Sequence, residues 1–137
     1  MTGSKLNLRV LDETNNLLLG HEYEYVYLID KRSNKRLALG GTYGDPAFGL
    51  ISKNNDWCLA GGSWLYLWKK LAGVSEIDEP ELSWVVKARQ VSNTEAELLI
   101  DPWSAHGAIW LLDVYTLQKK KVKDFRRDDD YEEDFVW

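Results

Sequence analysis

The sequence predicts an all-β, antiparallel protein built from three repeats of about four strands each. Short aliphatic and aromatic runs alternate with turn residues along most of the chain, a pattern typical of strands. Helical patterns are poor: no window of about eleven residues keeps apolar residues at the spacing of a helix face. The best helical candidate, Trp68 to Val74, is short and is interrupted by Gly73.

Twelve strands are expected, four in each repeat. The first repeat has them at 6–11, 16–20, 24–30 and 36–39, the second at 47–52, 57–61, 64–69 and 74–77, and the third at 83–89, 95–100, 108–113 and 119–125. Turn residues separate these runs, for example Asn15-Asn16, Gly61-Gly62 and Asp101-Pro102. We therefore predict one β domain over residues 1–127, with repeats at about 1–44, 45–80 and 81–127, followed by an acidic tail at 128–137.

One run recurs in every repeat, as Val26 to Asp30, Leu65 to Lys69 and Ile109 to Asp113, with spacings of 39 and 44 residues. A period of about 40–45 residues with four strands per repeat is the signature of propeller blades. The aliphatic–aromatic run, its closing Asp, the short turn and the basic strand that follows resemble the end of a WD-type repeat, although none of the three copies has the Trp-Asp dipeptide. The resemblance implies an open array, a sandwich-like stack, or half of a propeller completed by a second copy, since closed propellers need about four or more blades.

Composition narrows the functional classes. The chain has 137 residues, a net charge of −5 and one cysteine, Cys58. An intramolecular disulfide is therefore impossible, and we expect a reducing, cytoplasmic environment with Cys58 buried and unreactive. No apolar run is long enough to span a membrane. Outside the tail, the chain has 17 basic and 16 acidic residues. Because it lacks the basic excess of a nucleic-acid-binding protein, we expect neither a nucleic acid nor a membrane as the partner.

The residues capable of chemistry do not form a recognisable catalytic or metal-binding pattern. His21 and His106 both precede a recurring run, but they lack the companion ligands at the spacing that a metal site needs. We expect both to be exposed loop residues. Asp101, Ser104 and His106 are too close in sequence for a triad. We therefore predict a protein that is not an enzyme and has no metal or cofactor.

Two segments are candidates for binding another protein. The first is the loop that carries Trp103 and His106; the Trp is expected either to be an exposed anchor or to pack over a sheet edge. The second is the tail, whose acidic and aromatic members either bind a partner or dock on the basic strand near Lys119 to Arg127. The tail candidates are Asp128, Asp129, Asp130, Tyr131, Glu132, Glu133, Asp134, Phe135 and Trp137. Most of the seven Trp and seven Tyr are expected in the core or across strand pairs.

Three functions are compatible with these features. The first is a non-catalytic inhibitor of a toxin or nuclease, because Asn55 to Gly62 and the aromatic strand that follows resemble a hairpin of small bacterial immunity proteins. An acidic inhibitor suits a basic toxin domain. The second is a self-associating, propeller-like adaptor, possible as a homodimer since open arrays leave uncovered faces. The third is a module that binds sugars or small ligands through Trp.

Overall fold

The computed structural model describes residues 8–126 and residue 137, and within them twelve strands form three antiparallel four-stranded sheets. Blade A contains β1 (Arg9–Glu13), β2 (Leu17–Glu22), β3 (Tyr25–Asp30) and β4 (Lys35–Gly41). Blade B contains β5 (Phe48–Ile51), β6 (Trp57–Gly61), β7 (Leu65–Lys69) and β8 (Gly73–Ile77). Blade C contains β9 (Val85–Gln90), β10 (Glu95–Ile100), β11 (Ala108–Asp113) and β12 (Lys119–Asp124).

The predicted fold class is confirmed. Each sheet follows the order of the chain, and the three recurring runs form the third strand of their blades, β3, β7 and β11. The first predicted strand, 6–11, is displaced, since β1 begins at Arg9 and ends at Glu13. Its register explains the end point: Glu13 pairs with Leu18, and the Thr14 hydroxyl accepts a hydrogen bond from the Leu17 N–H at 3.0 Å to close the turn.

The turn after the third strand has the same structure in blades A and C. In blade A, Asp30 Oδ1 accepts hydrogen bonds from the N–H groups of Arg32 and Ser33 at 2.9 and 3.3 Å. In blade C, Asp113 Oδ1 accepts them from Tyr115 and Thr116 at 2.8 and 3.0 Å. The two turns end at Asn34 and Leu117, whose φ angles are both positive, 61° and 62°. This shared turn supports the interpretation of the sheets as repeats.

Blade B lies between the other two, and both of its faces are buried. Because neighbouring residues of a strand point to opposite faces, Trp57 and Leu59 pack toward blade C, while Cys58 and Ala60 pack toward blade A. Trp57 is fully buried, and its indole N–H donates to the Asn93 carbonyl at 2.8 Å, which links blades B and C. A buried central sheet explains the nearly unbroken apolar runs of β6 and β7.

In the part of the chain that the structure describes, no helix is long and apolar enough to cross a membrane.

Candidate binding face at one end of the blades

Five loops lie at the same end of the three blades. In an antiparallel sheet that follows chain order, the turn between the second and third strands and the connection to the next blade must lie at one end. This topology places the β2–β3, β6–β7 and β10–β11 loops together with the β4–β5 and β8–β9 connections. We call residues 23–24, 42–47, 62–64, 78–84 and 101–107 the loop face.

Hydrogen bonds join each loop to the next. The backbone N–H groups of Thr42 and Gly44 donate to Glu24, to its carbonyl at 2.8 Å and to its carboxylate at 2.6 Å. The N–H of Tyr43 donates to the Ser63 hydroxyl at 2.8 Å. Two further backbone bonds complete the chain, from Val85 to Gly62 at 3.1 Å and from Asp101 to Trp84 at 2.9 Å. The loop face is therefore one connected surface.

Each of the five loops presents one exposed aromatic side chain. Their exposed fractions are 83% for Tyr23, 79% for Tyr43, 53% for Trp64, 54% for Trp84 and 38% for Trp103. Most Trp and Tyr residues are expected in the core or across strand pairs; these five instead occupy turn positions, which hold their rings outside the sheets. Trp103 is exposed, as one of the two interpretations of its loop required, and four further aromatics share its surface.

Two of these aromatic residues have a backbone conformation that bulky side chains rarely adopt. Tyr23 has a φ of 53° and Trp84 a φ of 62°. The left-handed conformation costs an ordinary residue about 1–2 kcal/mol, and such strain clusters at functional sites. At Trp84, the hydrogen bond from Asp101 and that of the adjacent Val85 N–H hold the backbone in place. The fold thus tolerates strain at positions where an aromatic ring is exposed.

The loop face carries acidic residues and neither Lys nor Arg. Its six acidic members are Glu24, Asp45, Asp78, Glu79, Glu81 and Asp101. The loops at the opposite end, 14–16, 31–34, 52–56, 70–72, 91–94 and 114–118, have four basic residues and one acidic residue. The array is therefore electrostatically polar from end to end.

Lys119 of β12 offsets part of the acidic charge. Its ammonium group lies 2.6 Å from the Glu79 carboxylate and 3.4 Å from that of Glu81. The Glu79 carboxylate raises the pKa of Lys119, and a backbone hydrogen bond together with Lys119 lowers the pKa of Glu81. The lowered pKa keeps the Glu81 carboxylate ionised near neutral pH.

A groove of about 730 Å³ extends from the loop face along blade C. Trp84 and the exposed His106 line it on the loop side, and Trp110 lines it from β11. Three charged residues near the end of β12 also line the groove: the Asp124 carboxylate lies 2.5 Å from the Lys121 ammonium and 3.7 Å from the Arg126 guanidinium. Trp103 and His106, which the sequence identifies together, are thus part of one larger surface; their role in binding stays a prediction.

The remaining candidates for chemistry have structural roles. His21 is buried rather than exposed, so the prediction for that residue is wrong; it lies within β2, paired with Arg9 and Val26, and its Nδ1 is 2.9 Å from the Tyr23 carbonyl oxygen. Ser104 donates its hydroxyl hydrogen to the Asp101 carbonyl at 2.8 Å, which stabilises a turn. Among residues 8–126 and 137, no group of three His, Cys, Asp or Glu side chains is placed to hold a metal ion.

Cys58 is buried as predicted, and burial raises the pKa of its thiol to about 12. The tail candidates Asp128 to Phe135 lie outside the described residues. Trp137 is described, and it contacts Arg89 on β9. Its predicted role in binding a partner stays a prediction.

No family model matches this chain, and no curated protein matches it. Among solved structures, the chain is similar to the tricorn protease, with a TM-score of 0.57 and 10% sequence identity. The alignment covers 83% of this chain and 13% of the protease chain. At this identity the likeness shows the fold alone. The three four-stranded sheets fit blade repeats, while membership of a WD-type family is not shown.

Proposed function

We propose that this protein is a non-catalytic protein-binding module that recognises its partner with the loop face. The observation that carries the proposal is the set of five exposed aromatic side chains, one on each of five hydrogen-bonded loops. Large amphipathic rings are the residues that most often anchor protein interfaces. A rigid sheet scaffold that presents them on loops is a common arrangement for recognition.

Charge favours a basic partner. The five loops that carry the aromatic rings contain six acidic residues and neither Lys nor Arg, and Lys119 of β12 pairs with only two of the six. Complementary charge accelerates encounter with a basic surface and opposes acidic competitors. The partner class that fits is a basic protein domain, and inhibition of a toxin or nuclease by covering a phosphate-binding cleft is the specific form that we propose.

Binding of sugars through the exposed Trp rings is the second candidate, and the groove beside Trp84 favours it. The two candidates differ in their response to salt. Binding of a neutral sugar should depend little on ionic strength, whereas attraction between charged surfaces is screened over about 8–10 Å at ordinary salt concentrations.

The test uses the purified chain as bait for proteins of its source cell, with quantitative mass spectrometry as the readout. Three baits are compared: the native chain, a loop-face variant with Tyr23→Ala and Tyr43→Ala, the two most exposed rings of the loop face, and a control with Leu71→Ala and Tyr115→Ala. The control residues are exposed and lie in loops at the opposite end. The affinity of a captured partner should fall by about 30-fold or more in the loop-face variant, since one interface anchor contributes about 2 kcal/mol, and should stay unchanged in the control.

The charge argument has its own variant, Asp45→Asn with Asp78→Asn. We expect it to slow association and to reduce the dependence of the association rate on salt, while the dissociation rate changes little. Capture that is equal for all baits, or lost equally with the control, would contradict the loop face as the binding surface. An acidic partner, or one whose association is indifferent to salt, would contradict the proposed toxin class.

A further inference from the structure

Blade C buries apolar side chains on the face that is turned away from blade B. Ala96, Leu98 and Ile100 of β10 pack toward blade B. Leu99 points to the opposite face and is fully buried, as is its pairing partner Ile109 on β11. Arg89 and Glu97 pair across β9 and β10 on this same face. We call it the outer face of blade C.

Trp137 lies on this outer face, held by Arg89. The guanidinium carbon of Arg89 is 4.2 Å from the centroid of the Trp137 ring, and its Nη1 donates to the Trp137 main-chain oxygen at 2.5 Å. Glu97 fixes the same guanidinium from the other side, at 2.8 Å from Nε and 2.6 Å from Nη2. The Glu97 carboxylate thus orients the planar guanidinium, which lies over the Trp137 indole.

The outer face of blade A is covered in a comparable way. Leu18 and Ile29 pair across β2 and β3 and are buried although they point away from blade B. Gly20 lies on the same face as Leu18, and a Cβ placed on it would lie 3.2 Å from that of Leu8, which precedes β1. Arg36 stacks on Tyr27 at 3.7 Å on this face. Both free faces of the array are therefore in contact with residues that flank the blades in sequence.

We propose that Trp137 is an intramolecular cap that keeps the outer face of blade C from associating with a second copy of the chain. Stacked repeats leave an apolar face at each end, and arrays need polar or covered ends to stay soluble. The occupant of the face is Trp137 of the same chain, and Arg89 and Glu97 are the residues that position it. The proposal rests on contacts at the outer face of blade C and is independent of the loop face.

The test compares Trp137→Ala with Leu71→Ala, a control at a fully exposed apolar residue of the opposite end. Melting temperature and sedimentation velocity over a range of concentrations are measured for both. Trp137→Ala should lower the melting temperature by about 3–6 °C, because a partly desolvated cation–π contact with a charged hydrogen bond is lost. It should also form a species of twice the monomer mass as concentration rises, whereas Leu71→Ala should stay monomeric and melt with the native protein.

A double-mutant cycle tests the stack itself. Arg89→Ala should lower the melting temperature by a similar amount, and the double variant should be no worse than the single variants. Arg89→Lys should recover only part of the loss, since an ammonium lacks the planar fork. Should Arg89→Ala fail to fold, the comparison of Trp137→Ala with Arg89→Lys decides. Additive losses, a Trp137→Ala chain that melts with the native protein, or one that stays monomeric at every concentration would overturn the cap.

Discussion

Replacing Trp84 and Trp64 by glycine separates backbone strain from side-chain packing. The two residues are of the same type and have nearly equal exposed fractions, 54% and 53%, but Trp84 has a φ of 62° and Trp64 is not among the residues with positive φ. Any difference between the two glycine variants therefore reports mainly on the strained backbone.

The magnitudes follow from burial and conformation. Burying a whole Trp side chain removes about 150–250 Å² from water. At about 25 cal/mol per Å², deleting a half-buried Trp should therefore lower the free energy of unfolding by about 2–3 kcal/mol. Added backbone freedom costs about 0.5–1 kcal/mol in each variant. Glycine at Trp84 regains the 1–2 kcal/mol of left-handed strain. We therefore expect Trp84→Gly to be more stable than Trp64→Gly by about 1–2 kcal/mol.

Urea unfolding followed by circular dichroism measures the difference. With a slope of about 2 kcal/mol per molar urea, the middle of the usual range for small proteins, the midpoints should differ by about 0.5–1 M. Trp84→Ala is a second comparison at the same site: alanine keeps the unfavourable φ, so this variant should be less stable than Trp84→Gly. Equal midpoints for the two glycine variants, or a lower one for Trp84→Gly, would refute the argument that strain is held at this position.

Two further predictions concern the sheets. Gly40→Ala should lower the free energy of unfolding by about 2–4 kcal/mol, because residue 40 has a φ of 153° and a Cβ there would lie 2.5 Å from the Tyr66 ring. Gly44→Ala should lower it by only about 1–2 kcal/mol, because residue 44 has a φ of 79° but open space around it. Equal losses in urea unfolding would contradict this prediction. Asp113→Ala should cost about 1 kcal/mol at neutral pH. Hydrogen bonding, chiefly from the Thr116 N–H, lowers the pKa of Asp113 below its ordinary value of 3.8. The native chain should therefore be more stable than the variant above pH 3.8, and this difference in stability should vanish as the pH falls through the lowered pKa. A difference that persists in acid would contradict the prediction.

The sheets could be predicted from sequence because their signals are local. Blade B needs apolar residues on both faces, so Trp57 to Ala60 and Leu65 to Trp68 read directly as buried strands. The recurring third strand carries its own turn, since Asp30 and Asp113 accept hydrogen bonds only two and three residues ahead. Interactions over such short distances along the chain leave a pattern in sequence.

The loop face could be predicted only in part. Pro102 and Gly107 mark the loop that carries Trp103 and His106, whereas Trp84 falls within the predicted strand 83–89. Tyr23 and Tyr43 lie between predicted strands, where nothing local marks them as part of a binding surface. Their convergence depends on which ends of three sheets meet, a long-range property. The positive φ at Trp84 also has no local sequence signal, as it is imposed by hydrogen bonds from other loops. The burial of His21 likewise has no local sequence signal.

The division of charge between the two ends suggests how the array would meet a partner. Apolar packing between blades stabilises the sheets, so the net charge of either end is not needed to hold them together. Charge gathered at one end raises self-repulsion and lowers stability, and it brings a benefit only where an opposite charge approaches. Aromatic rings on the same loops would then contribute short-range affinity after long-range attraction has oriented the two proteins. Acidic loops and a strained Trp84 backbone each cost stability, and both occur on the same face as the exposed rings, which is the arrangement expected where binding, rather than folding, determines the choice of residues.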